Sequence, residues 1–315
     1  MRFVYVMDPL ETMHPEKDST FAFMRAARKL GHTNLHCLMS DLSVEEGKAY
    51  ASTRVATVSA EAPHTTYGQR HEVCLSDVDA VLIRKDPPFD TPYLNATQII
   101  DLARNETFIM NDPRGLRDAN EKLYALHFAE WMPRTYVTAD PVRIRAFVDA
   151  CGGTAVIKPI SGKGGYGVMK LSASDTNTPA IIEMLTEEGT KTVMVQEYLS
   201  AILQGDKRVI LLDGKLLGAI LRVPRKDDMR ANIHVGGRVR ACDLTEREKE
   251  LVASIGPRLR TAGLYFVGLD VIGDRLTEVN VTSPTGIQEL GRLTNTSPED
   301  DVITWLEGRA KRFPR

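Results

Sequence analysis

Three polar residues interrupt an otherwise apolar stretch near the end of the chain, at residues 264–286. Asp270, Glu278 and Asn280 lie in two segments typical of β-strands, which are separated by a Gly-Asp-Arg turn. Because Glu278 and Asn280 are two residues apart, their side chains point to one face of the strand. Asp270 lies on the same face if it pairs with Glu278, which predicts a loop with an odd number of residues, such as 273–275.

Two carboxylates and an amide oxygen are hard oxygen ligands that suit Mg²⁺, with Mn²⁺ as an alternative ion. Mg²⁺ is usually bound through substrate phosphates as well, so the pattern predicts a metal site for a phosphorylated substrate. The alternative interpretation is a solvated hairpin tip whose acids face water. Glu278 and Asn280 argue against it, because unpaired polar groups inside an apolar strand are costly.

A glycine-rich segment follows an apolar strand pattern that contains Lys158. Gly162 and Gly164 belong to a G-x-G-x-x-G match, but the dinucleotide fingerprint requires a helix next, and residues 168–172 are typical of a strand. A strand, a glycine loop and a second strand predict a hairpin flap, where glycines such as Gly165 let backbone N–H groups approach phosphates. A surface hairpin without a ligand is the alternative, although a lysine in an apolar strand favours an anionic partner.

The first 110 residues alternate between strand and helix patterns, which is typical of a parallel sheet. The predicted strands lie near residues 2–7, 35–39, 78–83 and 107–110. The predicted helices lie near residues 19–30 and 93–105. Residues 43–76 are interpreted as irregular and polar, with only weak strand patterns.

Two places in this region favour a bound anion. Asp18 or Ser19 can cap the first helix, and a helix N-terminus behind a strand is also a ready anion site. Arg84 lies just beyond the third strand, at the edge where ligands bind in open α/β sheets. Capping alone is a sufficient alternative explanation for Asp18 and Ser19.

Lys122 stands in the first turn of a predicted helix that opens at Asn120 and turns Leu123, Leu126 and His127 inward. A lysine is unfavourable near the positive end of a helix macrodipole. Its position therefore suggests that Lys122 faces a phosphate.

A long polar segment, residues 224–240, has no apolar periodicity and contains Arg230, Arg238 and a Gly-Gly pair. Loops of this length within a compact domain are usually functional or disordered. Its arginines and glycines favour a lid that closes over an anionic substrate. A plain solvated loop is the alternative.

Composition narrows the functional classes. The chain has 315 residues, enough for two or three domains, and its 43% apolar and 26% charged content is ordinary for a globular protein. A net charge of −2 gives no basic field for nucleic acid or a membrane surface. We expect a cytoplasmic protein, because the four cysteines are far apart and the chain shows neither a signal peptide nor an apolar run of membrane-spanning length.

The spacing Asp-(x)7-Glu-x-Asn on a terminal hairpin resembles the metal site of the ATP-grasp ligases, which activate a carboxylate as an acyl phosphate and join it to an amine. Further segments are similar to the bacterial glutathione synthetases, at residues 6–9, 17–19, 84–91, 116–118, 120–122, 205–208, 236–238 and 267–285. The block Arg-Lys-Asp-Pro-Pro-Phe-Asp-Thr at 84–91 is specific to that family. Two residues depart from the family's pattern. We expect cysteine at the position of Gly286 in the enterobacterial members, and aspartate at the position of Ser161. These departures leave the metal residues intact but could tune specificity.

The resemblance implies an α/β fold with an N-terminal parallel-sheet (pre-ATP-grasp) domain followed by a two-lobed α+β ATP-grasp domain. The implied boundaries are 1–120 for the N-terminal domain, 121–196 for the lobe with the flap, and 197–315 for the lobe with the lid and metal hairpin. The implied reaction converts ATP, γ-glutamylcysteine and glycine into glutathione, ADP and phosphate. The family also implies a homo-oligomer, a tetramer.

The resemblance further implies a role for each candidate residue. The nucleotide site would consist of Lys122, Lys158, Gly162, Gly164, Gly165, Glu197, Tyr198, Leu199 and Asp206. Arg208 and Arg222 would stabilise the transferring phosphoryl group and the acyl phosphate. The dipeptide would be bound by Lys17, Asp18, Ser19, Arg84, Arg230, Arg238 and Ser283, and Mg²⁺ by Asp270, Glu278 and Asn280.

Two alternatives stay open. One is another ATP-grasp ligase that uses a different acid or amine. The other is a non-catalytic ATP-binding regulator, against which the complete set of metal residues argues. No side chain stands out as the base that deprotonates glycine.

Overall fold

The computed structural model describes residues 1–162, 164–225 and 238–313, and within these residues the strands form three sheets. The first sheet has the order β3-β4-β2-β1-β6-β7, with β5 paired to β4. Its strands are β1 (Arg2–Val6), β2 (Thr33–Cys37), β3 (Leu42–Glu45), β4 (Lys48–Val58), β5 (Thr65–Cys74), β6 (Ala80–Ile83) and β7 (Phe108–Met110). The strands β2, β1, β6 and β7 are parallel, which confirms the predicted parallel sheet.

Helices connect the parallel strands as the alternating pattern predicts. They are α1 (Ser19–Lys29), between β1 and β2, and α2 (Thr91–Asp101), between β6 and β7, whereas α3 (Pro113–Asp118) follows β7 and leads out of the sheet. The carboxylate of Asp18 caps α1 by accepting hydrogen bonds from the backbone N–H groups of Thr20 and Phe21, at 2.6 and 3.3 Å. The cap places the first turn of α1 directly after the turn that ends at residue 18.

The interpretation of residues 43–76 as irregular is wrong, because β4 and β5 form a long antiparallel hairpin there. The buried positions of β4 are mostly small or polar side chains such as Ala49, Ala51 and Thr53, so its alternation is weak in hydrophobicity. Most side chains of β5 are exposed, which removes the alternation from that strand altogether.

The helix predicted to open at Asn120 is also wrong. The Asn120 side chain accepts hydrogen bonds from the N–H groups of Lys122 and Leu123, but turns and a 3-10 helix, Tyr124–Trp131, follow. Its backbone departs from helical angles at Phe128, and Leu126 and His127 are exposed. The aromatic residues Tyr124 and Phe128 are buried instead. The predicted buried face is wrong because it presumes an α-helical repeat, whereas this segment is a 3-10 helix with a kink.

The second sheet is antiparallel, with the order β10-β9-β11-β8. Its strands are β8 (Thr135–Thr138), β9 (Thr154–Pro159), β10 (Met169–Ser172) and β11 (Val193–Glu197), and it packs on α4 (Pro141–Ala150) and α5 (Thr178–Thr186). Pairing of β9 with β10 confirms the predicted hairpin around the glycine-rich segment.

The third sheet is antiparallel, with the order β14-β13-β12-β15-β16. Its strands are β12 (Asp206–Leu212), β13 (Lys215–Val223), β14 (Arg238–Ala241), β15 (Phe266–Ile272) and β16 (Arg275–Asn280). The helices α6 (Glu246–Thr261), α7 (Ile287–Thr294) and α8 (Pro298–Arg312) accompany it. None of the helices seen in the described ranges is long and apolar enough to cross a membrane.

One buried side chain joins the first sheet to the third. Asn111, directly after β7, accepts hydrogen bonds from the N–H groups of Tyr265 and Phe266 and donates to the carbonyls of Phe266 and Val281, at 2.7–2.9 Å. All four bonds go to the backbone at the base of β15 and at the end of β16. Asn111 therefore fixes the carboxylate-bearing hairpin against the N-terminal sheet.

Candidate active site

The β15–β16 hairpin pairs Asp270 with Glu278, as predicted, so that the two carboxylates and Asn280 share one face. The reason for this register differs from the prediction. The loop contains only two residues, 273–274, and the register shifts at a β-bulge in which Thr277 is the extra residue. The two loop residues and the one bulged residue add up to an odd number of unpaired residues. Asp270 therefore faces the same side as Glu278, as the predicted odd loop would also place it.

Asp270 is buried and bound by two arginines. Arg208 Nε lies 2.6 Å from its Oδ1, and Arg222 Nη2 lies 3.0 Å from its Oδ2. Burial alone would raise the pKa of Asp270, but the two guanidinium groups outweigh it and hold the pKa well below its usual range. Asp270 is therefore an anion fixed between two cations.

Arg222 also donates to the buried carboxylate of Asp206. The pKa of Asp206 is raised to about 7, mainly because the carboxyl group is buried. The charge of Arg222 lowers this pKa in part, and the negative charge of Asp270 raises it further. The Asp206 Oδ1 and Arg222 Nε atoms are buried without a hydrogen-bond partner in the described part of the chain. Such unpaired atoms are costly, and a polar ligand would satisfy them.

Lys122 connects the glycine flap with the β15–β16 hairpin. Its Nζ donates to the Gly162 carbonyl at 2.7 Å and lies 3.0 Å from Glu278 Oε1. The side chain is almost fully buried, so its charge is directed into the cleft rather than toward bulk solvent. Lys158, on β9, is half-buried by exposed area, and burial lowers its pKa while Glu278 offsets part of that shift.

One cleft between the second and third sheets brings together all the residues predicted for the nucleotide. It is lined by Lys122, Lys158, Gly162, Gly164, Gly165, Glu197, Tyr198, Leu199 and Asp206, together with Asp270 and Glu278. Gln196, which sequence reasoning missed, lines the same cleft and has a buried amide oxygen without a partner among the residues described. The cleft thus combines cations, glycine backbone and unpaired polar atoms.

A second cavity lies on the other side of Glu278 and Gly164, which line both. It contains Lys17, Asp18, Arg84 and Ser283 from the predicted substrate site, Asn280 from the predicted metal site, and the predicted catalytic pair Arg208 and Arg222. The cavity is therefore formed by the N-terminal part of the chain on one side and by the third sheet on the other.

The remaining substrate-site predictions have different positions. Ser19 is fully buried in the first turn of α1 and does not line this cavity; its hydroxyl has no hydrogen-bond partner within the described ranges. Arg238 begins β14 and is exposed outside both cavities. Arg230 and most of the predicted lid lie outside the residues that the structure describes.

Arg84 is buried between two aromatic rings, with its guanidinium carbon 5.4 Å from the ring centroid of Phe23 and 5.3 Å from that of Phe266. Its Nε donates to Thr20 Oγ1 and its Nη2 to the Pro284 carbonyl, both at 3.0 Å. Burial lowers the pKa of Arg84. The side chain therefore joins α1 to the loop after β16 and also lines the cavity.

Sequence reasoning missed two glutamates of the second cavity, Glu121 and Glu289. Glu121 Oε1 accepts hydrogen bonds from Val281 N, Thr282 N and Thr282 Oγ1, at 2.8–3.1 Å, and burial followed by the charge of Glu278 raises its pKa. Glu121 directly precedes Lys122 in the sequence. Because Lys122 was predicted to face a phosphate, its neighbour could have been considered for the same site. Glu289 lies in the first turn of α7, where an acid is common and gives no functional signal.

Together, a two-sheet cleft, a glycine flap over it and a carboxylate hairpin at its base define an ATP-grasp enzyme. Solved structures support this fold. D-cycloserine synthetase DcsG superposes with a TM-score of 0.67 at 17% identity, covering 100% of both chains. The ATP-grasp ligase PsnB, solved with precursor peptide PsnA2 and AMPPNP, gives 0.63 at 17% identity over 99% of this chain and 98% of that one.

The chain belongs to the prokaryotic glutathione synthetase family: its N-terminal domain matches residues 1–117 and its ATP-grasp domain residues 121–295. The glutathione synthetase of Gloeobacter violaceus is 47% identical over 313 residues, 97% of this chain and 96% of the relative. That of Mesorhizobium japonicum is 41% identical over 312 residues, 99% of each chain. The protein is thus an ATP-dependent ligase, and the family resemblance inferred from the sequence is confirmed.

Proposed function

We propose that the protein joins γ-glutamylcysteine to glycine, with ATP converted to ADP and phosphate. The observation that carries this proposal is the contact of two cavities at Glu278 and Gly164. One is suited to a nucleotide, and the other contains Lys17, Arg84, Arg208 and Arg222, which suit the carboxylates of the dipeptide. Transfer of the γ-phosphoryl group to the cysteinyl carboxylate gives an acyl phosphate. Attack by the glycine amine then forms the amide and releases phosphate.

In this proposal, Lys122, Lys158 and the backbone of Gly162, Gly164 and Gly165 hold the phosphates. The segment Glu197, Tyr198 and Leu199 positions the adenine, and Asp206 binds the ribose. The support is their common location in one cleft, where Asp206 and Gln196 keep buried oxygen atoms unpaired within the described ranges. A nucleotide can donate hydrogen bonds to such atoms through its ribose hydroxyls and adenine amino group.

We assign Asp270, Glu278 and Asn280 to Mg²⁺, with Mn²⁺ as an alternative. All three present oxygen donors on one face of the hairpin, which fits a hard cation. When bound, the metal supplies charge neutralisation to the nucleotide phosphates. The two carboxylates are paired with Lys122, Arg208 and Arg222 in this structure, and these cations are suitably placed to contact phosphate groups.

Arg208 and Arg222 stabilise the charge that develops during phosphoryl transfer. Both line the dipeptide cavity, and both contact Asp270. Because Asp270 orients the two guanidinium groups before a substrate arrives, little reorganisation is required during the reaction.

The dipeptide's carboxylates are bound by Lys17, Arg84 and the loop around Ser283. Asp18 and Ser19 support this site from the start of α1, where Asp18 caps the helix. We also assign Arg230 and Arg238, from the segment 224–240, to binding of the dipeptide. We divide the chain at 1–120, 121–196 and 197–315. The first sheet lies within the first range and the third sheet within the last, while the second sheet, residues 135–197, ends one residue beyond the middle range.

We further propose a homotetramer by analogy with the family, and a cytoplasmic location, where ATP and the dipeptide are available. The activity is tested by measuring phosphate release and product mass across a panel of amines with γ-glutamylcysteine fixed, then across acids with glycine fixed. We expect glutathione to be the fastest product. A faster ligation of another pair would instead identify a different ATP-grasp ligase, and absence of turnover with every pair would favour a regulator.

A further inference from the structure

Glu289 is a buried acid at the wall of the dipeptide cavity. It lies in α7, which is attached to the N-terminal part of the chain through its neighbour Gln288. The Gln288 Nε2 atom donates to the carbonyls of Pro15 and Asp18, at 3.0 and 2.5 Å. Glu289 therefore stands beside the turn that carries Lys17, and it also lines the cavity that Lys17 lines.

One carboxylate oxygen of Glu289 has no hydrogen-bond partner among the residues that the structure describes. Its Oε1 lies 3.3 Å from Nη2 of Arg292, a side chain that is 55% exposed. Its Oε2 is buried and makes no hydrogen bond to any residue in the described ranges, although the residue is only 2% exposed. A buried carboxylate oxygen without a donor is costly, so the position favours a ligand that supplies one.

Other acids of this cavity have partners. Asp8 binds Lys85 Nζ at 3.0 Å and the Asp86 N–H at 3.1 Å, and Asp18 caps α1. Glu121 accepts three hydrogen bonds from the segment after β16, and Glu278 binds Lys122. By contrast, Glu289 keeps a free buried oxygen atom in the described part of the chain.

Burial outweighs the nearby cations in its effect on the pKa of Glu289, so a further cation would still stabilise the ionised carboxylate. Burial raises the pKa of Glu289, while its own backbone N–H, Arg292, Lys17 and Arg208 lower it without cancelling the rise. A ligand ammonium group at Oε2 would stabilise the ionised carboxylate further.

We propose that Glu289 binds the α-ammonium group of the γ-glutamyl residue, with Lys17 beside it binding the α-carboxylate. This inference rests on the proposed function, because γ-glutamylcysteine carries one ammonium group and ATP carries none. The glycine ammonium is the poorer candidate. It must lose its proton to attack the acyl phosphate, whereas a carboxylate partner favours the protonated form.

The test combines one substitution with one substrate change. Glutaryl-cysteine keeps both carboxylates of the dipeptide but has hydrogen in place of the α-ammonium group. We expect the unmodified protein to prefer γ-glutamylcysteine in kcat/KM by about tenfold to a hundredfold, as for a hydrogen bond to a charged group. Glu289→Gln should raise the KM for γ-glutamylcysteine by a similar factor and reduce that preference to about threefold or less.

A matched control is Glu183→Gln, the same change at an exposed position of α5, which should leave the preference unchanged. The KM for ATP should stay within about twofold in both variants, and direct calorimetric binding of γ-glutamylcysteine should show the same weakening as KM. If Glu289→Gln does not fold, the preference of the unmodified protein still tests the inference. Equal kcat/KM for the two dipeptides would overturn it.

The other outcomes are also decisive. A preference that persists in Glu289→Gln would overturn the assignment to Glu289. An equal fall in kcat for both dipeptides, with binding intact, would overturn it in favour of a base that deprotonates glycine. If the unmodified protein ligates neither dipeptide but ligates another acid and amine, the proposed function fails and the named ligand fails with it.

Discussion

The cleft that we propose for the nucleotide and the cavity that we propose for the dipeptide meet at Glu278 and Gly164 but are built from different kinds of structure. We call them the nucleotide cleft and the dipeptide cavity. In the nucleotide cleft, charged side chains stand on hydrogen-bonded strands: Lys158 on β9, Asp206 on β12 and Glu278 on β16. In the dipeptide cavity, they stand largely on turns and helix starts that are brought together from distant parts of the chain.

This difference has a physical consequence. A strand within a sheet fixes side-chain direction through its ladder of backbone hydrogen bonds. The dipeptide cavity depends instead on contacts between segments, such as Gln288 with residues 15 and 18, and Arg84 with Pro284. We therefore expect substitutions in the strands to affect the nucleotide and metal, and substitutions at the segment contacts to affect the dipeptide.

The largest expected effect is at Glu278, which belongs to both cavities. Glu278→Gln removes a proposed metal ligand and the partner of Lys122, so kcat should fall about a thousandfold or more while the fold is retained. Mn²⁺ binding in the presence of ADP, followed by electron paramagnetic resonance, should weaken in parallel. Near-normal Mg²⁺-dependent turnover in this variant would remove Glu278 from the site.

The second effect is at Arg208, which lines the dipeptide cavity and contacts a strand residue of the nucleotide cleft. Arg208→Lys keeps the charge but loses the two-point contact with Asp270, where Nε and Nη2 lie 2.6 and 3.2 Å from the carboxylate oxygens. We expect kcat to fall about a hundredfold, with smaller changes in either KM. A change confined to the KM for the dipeptide would mean that Arg208 only binds substrate.

The same contrast explains what could be predicted from the sequence. Glu278, Asn280 and Lys158 interrupt apolar strands, so their chemistry stands out in the sequence. Lys158 lines one cavity, Asn280 lines the other, and Glu278 lines both. Glu289 does not stand out, because an acid in the first turn of a helix is ordinary. The partner that makes it notable, the turn around Lys17, lies more than 250 residues away in sequence.

The fold, like the site, could be predicted where the sequence carries a local hydrophobic pattern. Parallel strands β1, β2, β6 and β7 are apolar and were predicted, as was the hairpin around the glycine flap. The hairpin of β4 and β5 was missed because its buried residues are small and its outer strand is mostly exposed. The bulge at Thr277 was missed because a bulge is set by local pairing, which the hydrophobic pattern does not specify.

A smaller effect should separate the two cavities. Gly165 has φ +79° and lines only the nucleotide cleft. Gly165→Ala places a Cβ in a left-handed backbone beside the phosphate positions, so the KM for ATP should rise about tenfold while the KM for the dipeptide stays within twofold.

Gly152→Ala is the matched control for Gly165→Ala. Gly152 has φ +74° in the same lobe, and an added Cβ would meet no atom within 4 Å. Both variants should lose a similar free energy of unfolding, about 1 kcal/mol, but only Gly165→Ala should change ATP kinetics. Equal kinetics in the two variants would mean that the flap backbone does not approach the nucleotide.

The smallest expected effect tests the other side of the comparison. Gln288→Ala removes both hydrogen bonds that attach α7 to the segment around Lys17, which should cost about 1–3 kcal/mol of unfolding free energy. Because the nucleotide cleft does not depend on this contact, the KM for ATP should be unchanged, whereas the KM for γ-glutamylcysteine should rise about threefold to tenfold. Gln69→Ala, on the exposed face of β5, is the control and should alter neither constant. If Gln288→Ala raised both KM values by the same factor, the two cavities would be mechanically coupled, and their separation into strand-built and contact-built sites would be wrong.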